Sequence, residues 1–376
     1  MKRILWDISG AFGDIGVLFP IAIALIAKNG FNPTALFLIA GLFYIVSAYY
    51  FKITMPVQPL KAMASIAIAT GLGYEVINAA GITMGVILLL ISLTGLSIKL
   101  GRFFPVSVIR GIQLGLGMML IKASASLMNA EAIISLASGA ILITSVFMIK
   151  RIPPLIPIII LGIILSLKGI QPAAMGPAAL TLGLPGFNNL WTGFIILVLP
   201  QIALTFGNAI VATEATGKML YGDRAGRLTL KAIPMSMGLA NIASGIIGGA
   251  PMCHGCGGLT AHYKFGAASE KSGYIIGITL IVLAVLFGSS ALSVISAFPK
   301  GILGVLLCYV GIQHSLFIKD IFHEKQAMAI ALTVAVLGFI TNNLTAGFLA
   351  GIVIHYSLKT VTKTINTKAI NDVAKL

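Results

Sequence analysis

Long apolar runs follow one another through almost the whole chain, and they leave few folds open. They fall near residues 11–27, 33–51, 59–72, 76–97, 104–123, 132–149, 153–168, 191–213, 229–248, 257–267, 273–290, 291–315, 327–342 and 344–358. A bilayer core about 30 Å thick asks for about 20 apolar residues per crossing helix. Only helices and closed barrels satisfy their backbone polar groups in lipid. A barrel strand would alternate apolar and polar residues; these runs are continuous, so helices are predicted. Composition agrees: 58% of the 376 residues are hydrophobic and 9% charged, against about 25% charged in soluble domains. The reading is an all-α integral membrane protein of about fourteen transmembrane elements.

In a soluble protein the net charge of +15 would point to nucleic acid. Here Lys and Arg gather in the connections between apolar runs, as the positive-inside rule expects, and no nucleic-acid partner is predicted. One side carries Lys28, Lys122 and Lys168. The other carries Lys52, Lys99, Arg102, Lys150, Arg151, Lys264, Lys271, Lys319 and Lys325, with Lys218, Arg224, Arg227 and Lys231 after the eighth run. With Lys2 and Arg3, that asymmetry predicts a multi-pass protein of the cell membrane with both termini cytoplasmic. Asp7 and Ser9-Gly10 interrupt any leader-like core, so no cleaved signal is expected. The mixed tail from Lys359 to Leu376 is expected to fray.

The two halves of the chain resemble each other. Phe12-Gly13-Asp14 matches Phe206-Gly207-Asn208. Gly41-Leu42-x-x-Ile45-x-Ser47 matches Gly238-Leu239-x-x-Ile242-x-Ser244, and Pro56 matches Pro251. The three matches come in one order at nearly one spacing. Seven elements per repeat is an odd number, so the second copy enters the membrane from the opposite side. The prediction is a 7+7 inverted repeat, an arrangement of secondary transporters.

Each repeat contains one broken element. Met55-Pro56-Val57-Gln58-Pro59-Leu60-Lys61 lies between two apolar runs, and its counterpart is Ala250-Pro251-Met252-Cys253-His254-Gly255-Cys256-Gly257-Gly258. Pro56 and Pro59 push the residues before them to extended geometry, and Pro59 suits the first position of a helix. That helix, to about Thr70, would be only about 18 Å long. Gly255, Gly257 and Gly258 allow close approach of backbone to a ligand. The helix after them carries Thr260, His262, Tyr263 and Lys264 and cannot face lipid. A helix N-terminus offers free N–H groups and about half a positive charge. Two such ends at one point would hold an anion.

Lys61 would add a charge and suit a dianion; otherwise it pairs with Asp14, Glu75 or Glu214, or reaches for the interface. Gln58 and His254, at matched places, would each donate to a ligand oxygen or else tie the broken backbone together. Gln201, Thr205 and Asn208 form a polar stripe on the eighth element, open to substrate or to helix packing. Asp14 is an acid inside the first span, a candidate for a coupling proton or a partner for Lys61. Glu214 reads as a surface pair with Lys218, and Gly111-x-x-x-Gly115 as a close helix contact. Cys253, Cys256 and Cys308 make no disulfide framework. A metal at Cys253-x-x-Cys256 would need His254 or His262 as further ligands, and no metal or cofactor is predicted. No Walker A, HExxH or GxSxG sequence is present, which disfavours an ATPase or a known hydrolase.

Asp7-Ile8-Ser9-Gly10-Ala11-Phe12-Gly13-Asp14-Ile15-Gly16, Met55 to Lys61, Pro200-Gln201-Ile202-Ala203-Leu204-Thr205-Phe206-Gly207-Asn208, and Pro251 to Leu259 with Tyr263-Lys264-Phe265-Gly266 together resemble the molybdate transporter family, a branch related to the SulP sulfate permeases. The resemblance spans nearly the whole chain and departs at Cys256, where a small residue such as Ala is expected. It implies a core domain of elements one to four (1–98) and eight to eleven (185–290). A gate domain would hold elements five to seven (99–170) and twelve to fourteen (291–362), with a tail at 363–376. SulP permeases carry a STAS domain after the last helix; none is expected here. The resemblance also implies elevator-like movement of core against gate and a homodimer through the gate.

Residue reading and resemblance together place molybdate, a tetrahedral oxyanion, at Gln58, Pro59, Leu60, Lys61, Gln201, Thr205, Asn208, His254, Gly255 and Cys256, with Asp14 as coupling candidate. Tungstate and sulfate are dianions of the same shape and stay open. A nucleobase–cation symporter of this architecture would use carboxylates on the eighth and tenth elements. Here those places hold Gln201, Asn208, Cys253 and His254, and donors without acids favour an anion. An uncoupled channel and a membrane enzyme are the readings from other classes.

Overall fold

In the computed structural model, which describes residues 2–97, 99, 103–148, 155–167, 175–180, 182–267 and 269–373, helices start and stop where proline, glycine and capping side chains fall in the apolar runs. The first run is broken: α1 (Lys2–Ala11) and α2 (Ile15–Asn29) are separated by a turn at Phe12-Gly13-Asp14, where the Gly13 N–H meets the Gly10 carbonyl at 3.0 Å. α3 (Pro33–Phe51) starts with proline in its first turn and with Asn32 accepting the Ala35 N–H at 3.1 Å, a paired start signal. After β1 (Gln58–Pro59) come α4 (Lys61–Thr70), α5 (Tyr74–Thr94), α6 (Val106–Ala130), α7 (Ala132–Met148) and α8 (Ile156–Ser166). The second half runs through α9 (Phe187–Ala225), α10 (Ala232–Ile247), β2 (Met252–Cys253), α11 (Cys256–Lys264), α12 (Lys271–Ser296), α13 (Lys300–Ser315), α14 (Lys325–Ile340) and α15 (Leu344–Val373).

Among the described residues six helices are long and apolar enough to cross a membrane. The protein is a multi-pass membrane protein. Two expected boundaries move. The runs at 273–290 and 291–315 divide instead after Ser296, and α13 starts directly after Pro299, whose ring disfavours helical geometry in the residue before it. The tail expected to fray is helical as far as Val373. Arg102, Lys150, Arg151 and Lys168, used to orient the chain, lie outside the described residues.

The repeat is visible in how helices cross. α3 packs along α12, and α10 packs along α5. A methyl group built on Gly41 would lie 2.6 Å from the Gly277 carbonyl oxygen, and one on Gly277 would lie 2.8 Å from that of Gly41. Gly85 and Gly238 face each other in the same way, at 2.9 and 3.0 Å. The second element of each repeat thus crosses the fourth element of the other, twice over. A two-fold axis in the membrane plane produces that exchange. Elsewhere α6 packs along α13 and α14, and Gly111 is the close contact there, against Ala331 and Val334.

Candidate functional site

Breaking a helix inside a membrane strands backbone groups that cost several kcal/mol each if left unpaired, by order of magnitude. Here each break satisfies the other. β1 and β2 pair antiparallel, Gln58 opposite Cys253 and Pro59 opposite Met252, and the Leu60 N–H donates to the Pro251 carbonyl at 2.8 Å. Pro59 therefore belongs to the strand. Contrary to the sequence expectation it does not open the helix: Leu60 is the cap and α4 begins at Lys61. Asn241 of α10 clamps Met252 from behind, accepting its N–H at 2.7 Å and donating to its carbonyl at 3.0 Å.

His254 completes the tie. Its Nδ1 donates to the Pro56 carbonyl at 2.8 Å, and its Nε2 lies 3.2 Å from the Ser236 hydroxyl. The ring is fully buried against Phe43 and Phe51. Both nitrogens are thus engaged by protein, and of the two roles open to His254 this geometry fits the tie between the breaks. His262 acts likewise, joining the Gly10 carbonyl at 2.7 Å to the Tyr44 hydroxyl at 3.3 Å.

The two half-helix ends meet different side chains. At α4 the Gln201 Oε1 accepts the N–H groups of Ala62 and Met63 at 2.9 and 3.2 Å, while its Nε2 donates to Thr205 at 2.9 Å. Gln201 therefore serves as a cap supplied from α9, and Thr205 accepts from its amide. At α11 the cap is Gly255, which has no side chain to offer. The Cys256 thiol donates to the Asn208 Oδ1 at 3.0 Å, so Asn208 keeps its Nδ2 for another acceptor. The Gln58 amide donates to the Asp14 carboxylate. A methyl built on Gly258 would lie 2.6 Å from both Asp14 Oδ2 and Gln58 Nε2. The buried Gln58 Oε1 has no partner among the described residues.

Lys61 is half-buried in the first turn of α4 and makes no ion pair among the described residues. Its ammonium acts electrostatically on Asp14, Cys253, Cys256 and His314 without contacting an acid. Glu214 pairs with Lys218 at 2.8 Å, as its spacing predicts. Gln58, Asn208, Gly255 and Cys256 thus gather around the α11 end with Asp14 beside them, while Leu60 and Lys61 belong to the adjoining α4 end.

Several residues here went unnoticed in the sequence. Asn241 is an amide in an apolar run, at the repeat position of Tyr44; Asn241 ties down a break and Tyr44 holds His262 of α11. Arg110 of α6 acts electrostatically on Cys256 and is bound to Gln113 at 2.9 Å and Asp320 at 2.5 Å. A charge inside an apolar run was the available signal.

Residues 7–120 and 193–313 match the model of the family described as "Molybdate transporter of MFS superfamily". The chain belongs to this molybdate transporter family. Similar curated proteins include Molybdate transporter 2 of Arabidopsis thaliana, 27% identical over 94% of this chain and 87% of that protein. Molybdate transporter 1 of Chlamydomonas reinhardtii is 24% identical over 93% and 91% of the two chains. Such relatives are named as transporters, not enzymes. In fold, this family member is similar to the transmembrane domain of the cyanobacterial bicarbonate transporter BicA, with TM-score 0.67 and 18% identity over 93% of this chain and 98% of that one. It is also similar to the murine Solute Carrier 26 family member A9 anion transporter, with TM-score 0.68 and 15% identity over 96% and 69%. These share the fold, and the inverted repeat expected from the paired motifs is theirs as well.

Proposed function

We propose that this protein is a secondary transporter that imports molybdate across the cell membrane, with both termini in the cytoplasm. The anion sits where the α4 and α11 N-termini converge. Asn208 and the open first turn of α11 donate to its oxygens, Gln58 ties Asp14 to the site, and Lys61 supplies charge. The pairing of β1 with β2 carries this reading, because it sets both helix ends side by side beside one lysine. The family and the names of the relatives point to molybdate among tetrahedral dianions.

The core (1–98 and 185–290) moves against the gate (99–170 and 291–362) as an elevator. The seam between them supports this, since it is largely apolar: Phe206 stacks on Phe104 at 5.7 Å and Gly207 lies against Ile109. One hydrogen bond on the seam, Thr345 to the Ile195 carbonyl, is 2.6 Å long. The gate faces also supply the contact of a homodimer. Asp14 is the coupling group, the acid that touches the site through Gln58.

Competition binding on purified protein with molybdate, tungstate, sulfate and uracil tests the reading. Molybdate or tungstate is expected to displace bound molybdate at the lowest concentration. Stronger displacement by sulfate makes this a sulfate permease, and displacement by uracil alone overturns the anion site. Asp14→Asn is expected to retain binding and lose uptake against a gradient; uphill uptake by that variant removes Asp14 from coupling.

A further inference from the structure

Because α3 and α10 are each held by their own crossing partner, α12 and α5, they leave a cleft between themselves. This cleft is an apolar groove of about 440 Å³, walled by Leu42, Val46 and Tyr50 of α3 and by Met235, Leu239 and Ala243 of α10. Its α3 wall runs from Ile39 to Tyr50, about 17 Å at the helical rise, close to half of a ~30 Å bilayer core. Leu42, Val46 and Leu239 are exposed along it.

One end of the groove is cationic. Arg227 donates to the Tyr50 carbonyl at 3.0 Å, so its exposed guanidinium stands at the mouth. Lys231 caps α10 one residue before Ala232, which lines the groove. Lys52 closes α3 in a left-handed conformation (φ 57°), with its ammonium 4.4 Å from the Tyr49 ring centre. Exposed Tyr49 and Tyr50 mark this end as the membrane–water interface, where aromatic side chains collect. A slot one leaflet deep with three cations and an aromatic girdle at its mouth has the chemistry of a phospholipid: one acyl chain and one anionic head. The floor of the slot reaches the paired breaks. Ser236 and Phe43 line it, and both touch His254, the former at 3.2 Å and the latter at 4.8 Å between ring centres.

We infer that this groove binds an anionic phospholipid, its phosphate on Lys52, Arg227 and Lys231 and one acyl chain between α3 and α10, and that the lipid braces the paired breaks from behind. Lipid binding is independent of the transport reading; only an effect on molybdate affinity would rest on it.

The test uses the full chain, delipidated in detergent and then titrated with phosphatidylglycerol or phosphatidylcholine under native mass spectrometry. The wild type is expected to retain one phosphatidylglycerol and to prefer it over phosphatidylcholine by about tenfold. Leu239→Trp, which fills the slot, is expected to lose that lipid. Arg227→Gln with Lys231→Gln is expected to keep a lipid but lose the headgroup preference. Ala243→Leu fills the slot more gently and replaces Leu239→Trp if the latter does not fold. Phosphatidylglycerol is also expected to raise the thermal midpoint of the wild type and not of the filled variant. Equal retention in wild type and filled variants overturns the site. Equal binding of the two lipids by the wild type, or a bound fatty acid in place of a phospholipid, overturns the assignment of the headgroup.

Discussion

The first turns of α4 and α11 hold matched places in the two repeats, yet they are finished by opposite means. α4 receives a cap from another helix, with Gln201 taking two of its N–H groups. α11 receives none: Gly255 precedes it, Gly258 is bare, and Asp14, Gln58 and Asn208 crowd around it. An inverted repeat of backbone has therefore become a division of labour. One end is locked into the protein, and the other presents donors. Lys61 stands on the locked end and returns to it the charge that its cap has no means to supply.

Substitutions at each end test that contrast. The largest effect is expected from Gly258→Val. Its side chain would displace both Asp14 and Gln58, and overpacking of this kind typically costs about 1–3 kcal/mol; molybdate binding by calorimetry is expected to vanish. Lys61→Met is expected to weaken molybdate binding by roughly 10- to 100-fold, the size of a hydrogen bond to a charged group. Normal affinity in that variant would make Lys61 structural. Asn208→Ala is expected to weaken binding by about tenfold with little change in the thermal midpoint. Gln201→Ala should do the reverse: stability falls by about 1 kcal/mol, as when a helix loses its N-cap, and affinity barely moves. Were Gln201→Ala to damage affinity more than Asn208→Ala, the two ends would have exchanged roles.

The symmetric part of this molecule was legible in the residues. The Gly-Leu motifs mark the helix crossings at Gly41 and Gly238. The two proline-bearing breaks are the segments that pair, in nearly the matched register. The asymmetric part was not, because it depends on which way long side chains turn toward other parts of the chain. His254 and Gln58 both lie just before a half-helix, although the position matched to Gln58 is that of Cys253, and one ring is consumed by Pro56 and Ser236 while one amide meets an acid. Phe12-Gly13-Asp14 and Phe206-Gly207-Asn208 read alike, but the first is a turn between helices and the second lies in a π-helical stretch, Thr205–Ala212. That wider turn sets which way Asn208 looks relative to Gln201, and spacing alone assumes an even helix. Pro59 was placed one structural step too late in the chain because strand pairing with a distant segment has no local signal.

The β1–β2 ladder also bears on how such a chain can be divided. Either repeat alone would carry an open strand edge among its apolar helices, where lipid offers no partner to satisfy it. Each half needs the other in inverted orientation to close that edge, and Asn241 and His254 of the second half reach back to finish the job. A separated first half is therefore not a smaller transporter but an incomplete surface, stable in a bilayer only when it meets an upside-down partner. Cutting the chain between the repeats should leave two fragments that insert independently and become soundly folded only as a pair.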